Sequence, residues 1–246
     1  MSAYAFLGAA EFEDWHTDID RSLLDDRPGP VLVLATASAP EGEGVYQGWV
    51  DKGLAHYAAA GIDARAPSLR TPEDAHDPAI VAQIDEAGLV FFSGGNPAYL
   101  SRVLQGSPVW QRIRDRVADG SLAYAGCSAG VACLSDPTYD SATDDFERVW
   151  APGLGYFPKI LFAPHWDILE NWIPGARAFI TSAAPADGSL VAIDEQTALV
   201  GDGVQWSVHG VGGVYVHQGG QWVGEYRAGD TWELAMPLAG AAPAAG

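Results

Sequence analysis

Cysteine is nearly absent: only Cys127 and Cys133 occur in 246 residues. Two thiols cannot build a disulfide framework, nor a four-ligand zinc site without help from histidine. Basic residues are scarce too, with 13 Lys and Arg against 32 Asp and Glu and a formal net charge of −19. A surface of that sign repels phosphate backbones and anionic lipid, which argues against nucleic-acid and membrane partners. No apolar run approaches the roughly 18 residues of a membrane span. The opening Met1–Gly8 is apolar but lacks a basic n-region and soon meets Glu11, so it reads as a first strand rather than a signal peptide. The expected location is cytoplasmic.

What is present is enough for a core, because 48% of residues are hydrophobic and only 18% are charged. The length suits one domain, expected over 1–238, and no internal repeat is visible. The Ala/Gly/Pro-rich stretch 239–246 reads as a flexible tail. Val31-Leu32-Val33-Leu34-Ala35-Thr36 and Leu89-Val90-Phe91-Phe92 are continuous apolar runs, the pattern of strands buried on both faces. Between them Tyr46, Val50, Leu54 and Tyr57 recur at helical spacing up to Gly61. Trp110, Ile113 and Val117 mark another helix ahead of Gly120, and Leu122-Ala123-Tyr124-Ala125 makes a third strand. Alternation of this kind predicts an α/β fold, a doubly wound and mostly parallel sheet flanked by helices. From Leu190 onward, β-branched and aromatic residues broken by glycine pairs predict a hairpin-rich C-terminal extension.

The most informative segment is Gly126-Cys127-Ser128-Ala129-Gly130, which follows a buried strand and precedes a helix-compatible run. A nucleophile elbow needs that context: the nucleophile sits on a cramped turn, and small neighbours let backbone pass on either side. The other reading is a glycine-rich turn that merely packs a helix on a sheet. Glycines at both flanking positions favour Ser128 over Cys127, and both cysteines read as small buried side chains. A serine hydroxyl needs a base. His165 ends the apolar run Ile160–Pro164, at the strand end where sites of open α/β sheets lie. His16 and His76 lie in acidic surroundings and read as solvated, and His56, His209 and His217 have no such placement. Asp167 or one of the pair Asp194-Glu195 could orient the imidazole. The amide of Ala129 and one from the Ser93-Gly94-Gly95-Asn96 turn could hold an oxyanion. That turn is no phosphate loop, because no GxxxxGK[ST] pattern accompanies it.

Taken in order, these segments resemble the dipeptidase E / cyanophycinase family of serine peptidases, which have the class I glutamine amidotransferase-like fold. Gly8-Ala9-Ala10-Glu11 is similar to the family's first-strand Gly-Gly-Gly-Glu. Phe92-Ser93-Gly94-Gly95-Asn96 resembles its glycine loop, Gly126–Gly130 its elbow and Pro164-His165 its base. Ile193-Asp194-Glu195-Gln196-Thr197-Ala198-Leu199 is similar to the cyanophycinase segment that carries the acid. The resemblance implies a Ser128–His165–Glu195 triad with Gly95 and Ala129 as oxyanion donors. It also implies a short-peptide substrate, no cofactor, no metal, and a monomer or homodimer. Asn96-Pro97 stands where cyanophycinases have Asp-Gln, and Trp166-Asp167 where they have arginines, so the resemblance leans toward dipeptidase E.

Cutting near a free N-terminus calls for a carboxylate to meet the substrate ammonium. Asp144, Asp145, Asp167 and Glu11 are the candidates, with Asn96 also expected to bind substrate. A solvated acidic loop is the competing reading of Asp136, Asp140, Asp144, Asp145 and Glu147. Three other functions compete: an esterase or amidase on non-peptide substrates, a non-catalytic binding module of the same fold, and a glutamine amidotransferase subunit. The last needs a cysteine at the elbow centre, where this chain has Ser128.

Overall fold

The computed structural model of the protein describes residues 3–143, 145–236, 238 and 239. Five parallel strands form its centre: β1 (Tyr4–Leu7), β2 (Val31–Leu34), β3 (Ala64–Arg65), β4 (Leu89–Phe92) and β5 (Ala123–Cys127). The helices α1 (Thr17–Leu24), α2 (Glu43–Ala60), α3 (Pro78–Glu86), α4 (Pro97–Leu104) and α5 (Pro108–Ala118) connect them. β1, β2 and β4 are buried at every position, as continuous apolar runs require. Period-2 alternation then sends successive side chains into two separate cores. Phe6, Leu32, Leu34, Val90 and Phe92 face one core, and Leu7, Val31, Val33, Leu89 and Phe91 face the other.

Local signals fix the connections. Gly61 ends α2 in the left-handed region at φ 69°. Asn96 caps α4 and Ser107 caps α5, each accepting from a backbone N–H, and Pro97 and Pro108 occupy the first helical positions.

The chain then runs through α6 (Ala129–Ala132), the short hairpin β6 (Thr138–Tyr139) and β7 (Trp150–Ala151), and β8 (Ile160–Ala163). Next come α7 (Leu169–Trp172), α8 (Ala176–Ser182), β9 (Ser189–Ile193), β10 (Thr197–Gly201) and β11 (Gln205–Gly210). The last strands are β12 (Gly213–Gln218), β13 (Gln221–Arg227) and β14 (Thr231–Glu233). The hairpin-rich last third is shared between two sheets. β10, β11 and β14 continue the main sheet as antiparallel neighbours, giving the order β14-β11-β10-β1-β5-β4-β2-β3. β13, β12 and β9 join β8 in a second sheet, with β8 and β9 parallel.

This division matters for the site. The carboxyl end of β5 belongs to the main sheet, whereas the carboxyl ends of β8 and β9 belong to the second. Ser135, just past α6, bridges them: its Oγ accepts from the Phe162 N–H at 2.9 Å. Among the described residues no helix is long and apolar enough to cross a membrane.

Candidate active site

Ser128 follows β5 with φ 51° and ψ −107°, a conformation that L residues rarely adopt. The elbow holds it there. A Cβ on Gly126 would sit 2.3 Å from the Gly130 carbonyl oxygen, and one on Gly130 would sit 2.3 Å from the Phe92 carbonyl oxygen. Both glycines are therefore required by close backbone approach. The Ser128 N–H donates to the Leu7 carbonyl at 3.0 Å, tying the turn to the end of β1. The following helix is a single turn. A one-turn helix has little dipole, so any help for an oxyanion comes from individual amides.

His165 lies just beyond β8 and Glu195 just beyond β9. The Trp166 N–H donates to the Ile193 carbonyl at 3.0 Å and keeps the two strand ends together. His165 Nε2 lies 2.8 Å from Ser128 Oγ, and its Nδ1 lies 2.8 Å from Glu195 Oε1. A carboxylate accepts only, so Nδ1 carries the hydrogen and Nε2 is left as the acceptor of the serine O–H. Asp167 does not touch the ring: its Oδ1 accepts from the Glu195 N–H at 2.9 Å, so it holds the loop that carries Glu195. Asp194 turns the other way and is buried, accepting from the Gly213 N–H and the Tyr215 hydroxyl. Burial pushes its carboxyl above the usual range.

The amides flanking the hydroxyl differ in use. Gly94 N–H is occupied by buried Glu11, whose Oε1 accepts it at 2.8 Å. Glu11 Oε2 accepts from the Cys127 thiol at 3.0 Å. Burial, with Glu11 adding to it, pushes that thiol well above its ordinary value, so Cys127 stays protonated, and it is fully buried. Neither Gly95 N–H nor Ala129 N–H has an acceptor among the described residues. Six non-glycine residues among those described have positive φ, and five adjoin this site: Ala10 and Phe12 on either side of Glu11, Ser128, His165, and Gln196 after Glu195. Strain concentrated in this way is characteristic of functional sites.

Two hollows meet at Ser128, His165 and Gly95. One of about 290 Å³ includes Glu11, Trp49 and Lys52. The other, about 350 Å³, extends under the 139–150 hairpin and α7–α8. Asn96 lies beside them with both ends of its amide engaged: Oδ1 accepts from Tyr99 N–H, and Nδ2 donates to Asp140 at 2.6 Å. Asp145 stands on the exposed loop, accepts from Glu147 N–H and lies 3.7 Å from Arg148, away from Ser128. Asp144 lies outside the described residues. Among the described residues the carboxylate lining the larger hollow is Asp140. It belongs to the acidic loop, and composition alone gave no signal to single it out.

His16 departs from the solvated reading: it is fully buried. Its Nδ1 lies 2.9 Å from Asp20 Oδ2, and its Nε2 accepts from the Phe12 N–H at 2.7 Å. His16, Asp20 and His56 form the one group of metal-ligand residue types among the described residues. Because Nε2 accepts a backbone N–H, Nδ1 must carry the hydrogen toward Asp20, which closes that nitrogen to a cation.

Comparison with known proteins finds relatives by sequence and by fold. The chain is 30% identical over 158 residues to a cyanophycinase of Nostoc sp. (strain PCC 7120), covering 60% of this chain and 51% of that protein. It thus spans about half the length of the curated relatives it matches. A crystal structure of a peptidase from an acI-B1 Actinobacterium superposes with a TM-score of 0.83 at 28% identity, covering 94% of this chain and 96% of the other. A peptidase E-type protein from Listeria monocytogenes EGD-e shares the fold at a TM-score of 0.56 and 16% identity, over 81% of this chain and 94% of the other. The family model for peptidase family S51 matches residues 14–208, most of the chain. The chain belongs to peptidase family S51.

Proposed function

We propose that this chain is a serine peptidase that hydrolyses short peptides near a free N-terminus, through an acyl-enzyme on Ser128. The observation that carries the reading is the unbroken relay of two 2.8 Å contacts from Ser128 through His165 to Glu195. In the first step the Ser128 proton passes to His165 Nε2 as Oγ bonds to the peptide carbonyl carbon. The Gly95 and Ala129 N–H groups donate to the oxygen that becomes negative, a contribution of about 3 kcal/mol for each such donor. Glu195 accepts from Nδ1, holds the tautomer and stabilises the imidazolium that forms. Nε2–H then protonates the departing amine as the C–N bond breaks. Water enters, gives its proton to Nε2, and releases the acid and the serine hydroxyl.

Substitution of Ser128 by Ala should lower kcat on a cleaved dipeptide by about 10⁴-fold or more, with the fold intact by circular dichroism. A fluorophosphonate should label the wild-type chain at Ser128 and leave the variant unlabelled. Unchanged turnover in the variant would overturn the proposal. Acetylating the substrate amine should slow cleavage; equal rates would remove the free-N-terminus part and leave a general amidase or esterase.

A further inference from the structure

The larger hollow beside Ser128 is predominantly apolar. Phe146, Trp150, Leu169, Ile173, Phe179 and Ile180 form its wall. The wall is ordered by stacking: Phe146 lies on Phe179 with ring centres 4.4 Å apart and planes 10° apart, and Trp150 stacks on Phe179 at 5.5 Å. Trp172 closes against the His165 ring at 5.0 Å. Among the described lining residues Asp140 is the one carboxylate, and none is Lys or Arg.

Asp140 is fixed relative to the reacting centre. Its Oδ1 accepts from Asn96 Nδ2 at 2.6 Å and from Ala142 N–H at 3.0 Å, and its own N–H donates to the Val149 carbonyl at 2.7 Å. Asn96 directly follows Gly95, so one carboxylate is tethered to the loop that supplies a free amide next to Ser128. Oδ2 has no partner among the described residues.

Resting on the serine-peptidase reading, we infer that the enzyme selects peptides whose N-terminal residue is apolar and bulky, such as Phe or Leu. The side chain fills the aromatic hollow and the ammonium meets Asp140 Oδ2. A cavity of about 350 Å³ accommodates a benzyl or isobutyl group. An acidic side chain would be buried there without a cation and beside a carboxylate of like charge, and a basic one would lose its hydration to apolar walls. Acidic N-terminal residues are therefore disfavoured. Asn96, expected to touch substrate, acts instead as a positioning residue for Asp140.

The test is a set of dipeptides, Phe-Ala, Leu-Ala, Gly-Ala, Asp-Ala and Arg-Ala, read as kcat/KM, with fluorophosphonate labelling run in parallel. Phe-Ala and Leu-Ala should exceed Gly-Ala and Asp-Ala by at least about tenfold. Ala176→Phe, which fills the hollow, should lower the Phe-Ala to Gly-Ala ratio by about tenfold. Phe179→Ala, which opens it, should lower the same ratio without narrowing the site. Asp140→Asn should raise KM for Phe-Ala and bring its rate closer to that of acetyl-Phe-Ala. If Ser128 is labelled and peptides are cut with Asp-Ala or Arg-Ala preferred, or with no preference, this inference falls and the peptidase reading stands. If Ser128 is not labelled and no peptide is cut, both fall together.

Discussion

His165 Nδ1 lies 2.8 Å from Glu195 Oε1, and His16 Nδ1 lies 2.9 Å from Asp20 Oδ2. As imidazole–carboxylate pairs the two are nearly equivalent. They differ in what the other ring nitrogen meets and in access to water. His165 Nε2 faces a serine hydroxyl on a strained turn, and the side chains of the pair are 18% and 32% exposed. His16 Nε2 accepts the Phe12 amide, and both members of its pair are 0% exposed. The first pair adjoins a hydroxyl and opens onto a hollow. The second satisfies a backbone donor in the strained 10–12 turn and is closed to solvent. A hydrogen-bonded His and carboxylate thus say little about chemistry until the far nitrogen is examined.

The sharpest way to break this comparison is to remove each imidazole. His165→Ala should lower kcat by about 10⁴-fold or more while changing the thermal midpoint little. His16→Ala should do the reverse, destabilising the fold by about 3 kcal/mol because the buried Asp20 carboxylate loses its nearest partner and keeps only Tyr57 and the more distant His56, with kcat per folded molecule within about tenfold of wild type. Activity loss without unfolding in both variants would erase the distinction. Glu195→Gln should lower kcat by up to about 10⁴-fold, since the tautomer is no longer fixed, and urea unfolding should be nearly unchanged.

Asp20→Asn should act on stability alone, and with a defined pH dependence. Burial pushes the Asp20 carboxyl up, but the His16, His56 and Tyr57 side chains facing it outweigh that, so its net direction is down. A lowered folded-state value means that the carboxylate contributes stability above the ordinary carboxylate range, ~4, and loses that contribution as pH falls through the folded value. Wild type should therefore lose stability on acidification more steeply than Asp20→Asn, as followed by urea midpoints between neutral and acidic pH. Equal slopes would contradict the assignment. The smallest effect belongs to Asp167→Ala. Losing one hydrogen bond to the Glu195 amide should cost about 1 kcal/mol, lowering kcat several-fold with KM unchanged.

The sheet was legible because strands buried on both faces carry no polar positions: Val31–Leu34 and Leu89–Phe92 read plainly as such. Gly126 and Gly130 were legible because contact between backbones leaves no room for a Cβ. Ser128 could be picked out by its flanking glycines and His165 as the end of an apolar run, but the residues left Asp167, Asp194 and Glu195 open as its acid; in the structure Glu195 adjoins His165. His16 was misread because acidic neighbours suggested solvent. In fact His16, at the N-cap of α1, and Asp20, on α1, turn inward with Ile19 and Leu23, and residue type alone does not say which face of a helix is covered. The acidic loop after α6 posed the same difficulty, since its members are alike in composition and, among those described, only Asp140 is held by Asn96 in the wall of the larger hollow.

Sequence by itself determined the elements, the elbow and the residue types available for acyl transfer, because burial periodicity and tight turns are local demands on side-chain size and polarity. Only the tertiary structure decided which carboxylate meets His165, which amides remain unpaired and which wall adjoins Ser128. Those outcomes depend on two sheets meeting at their carboxyl ends, and contacts between chain segments 30 to 40 residues apart leave no periodic trace along the chain.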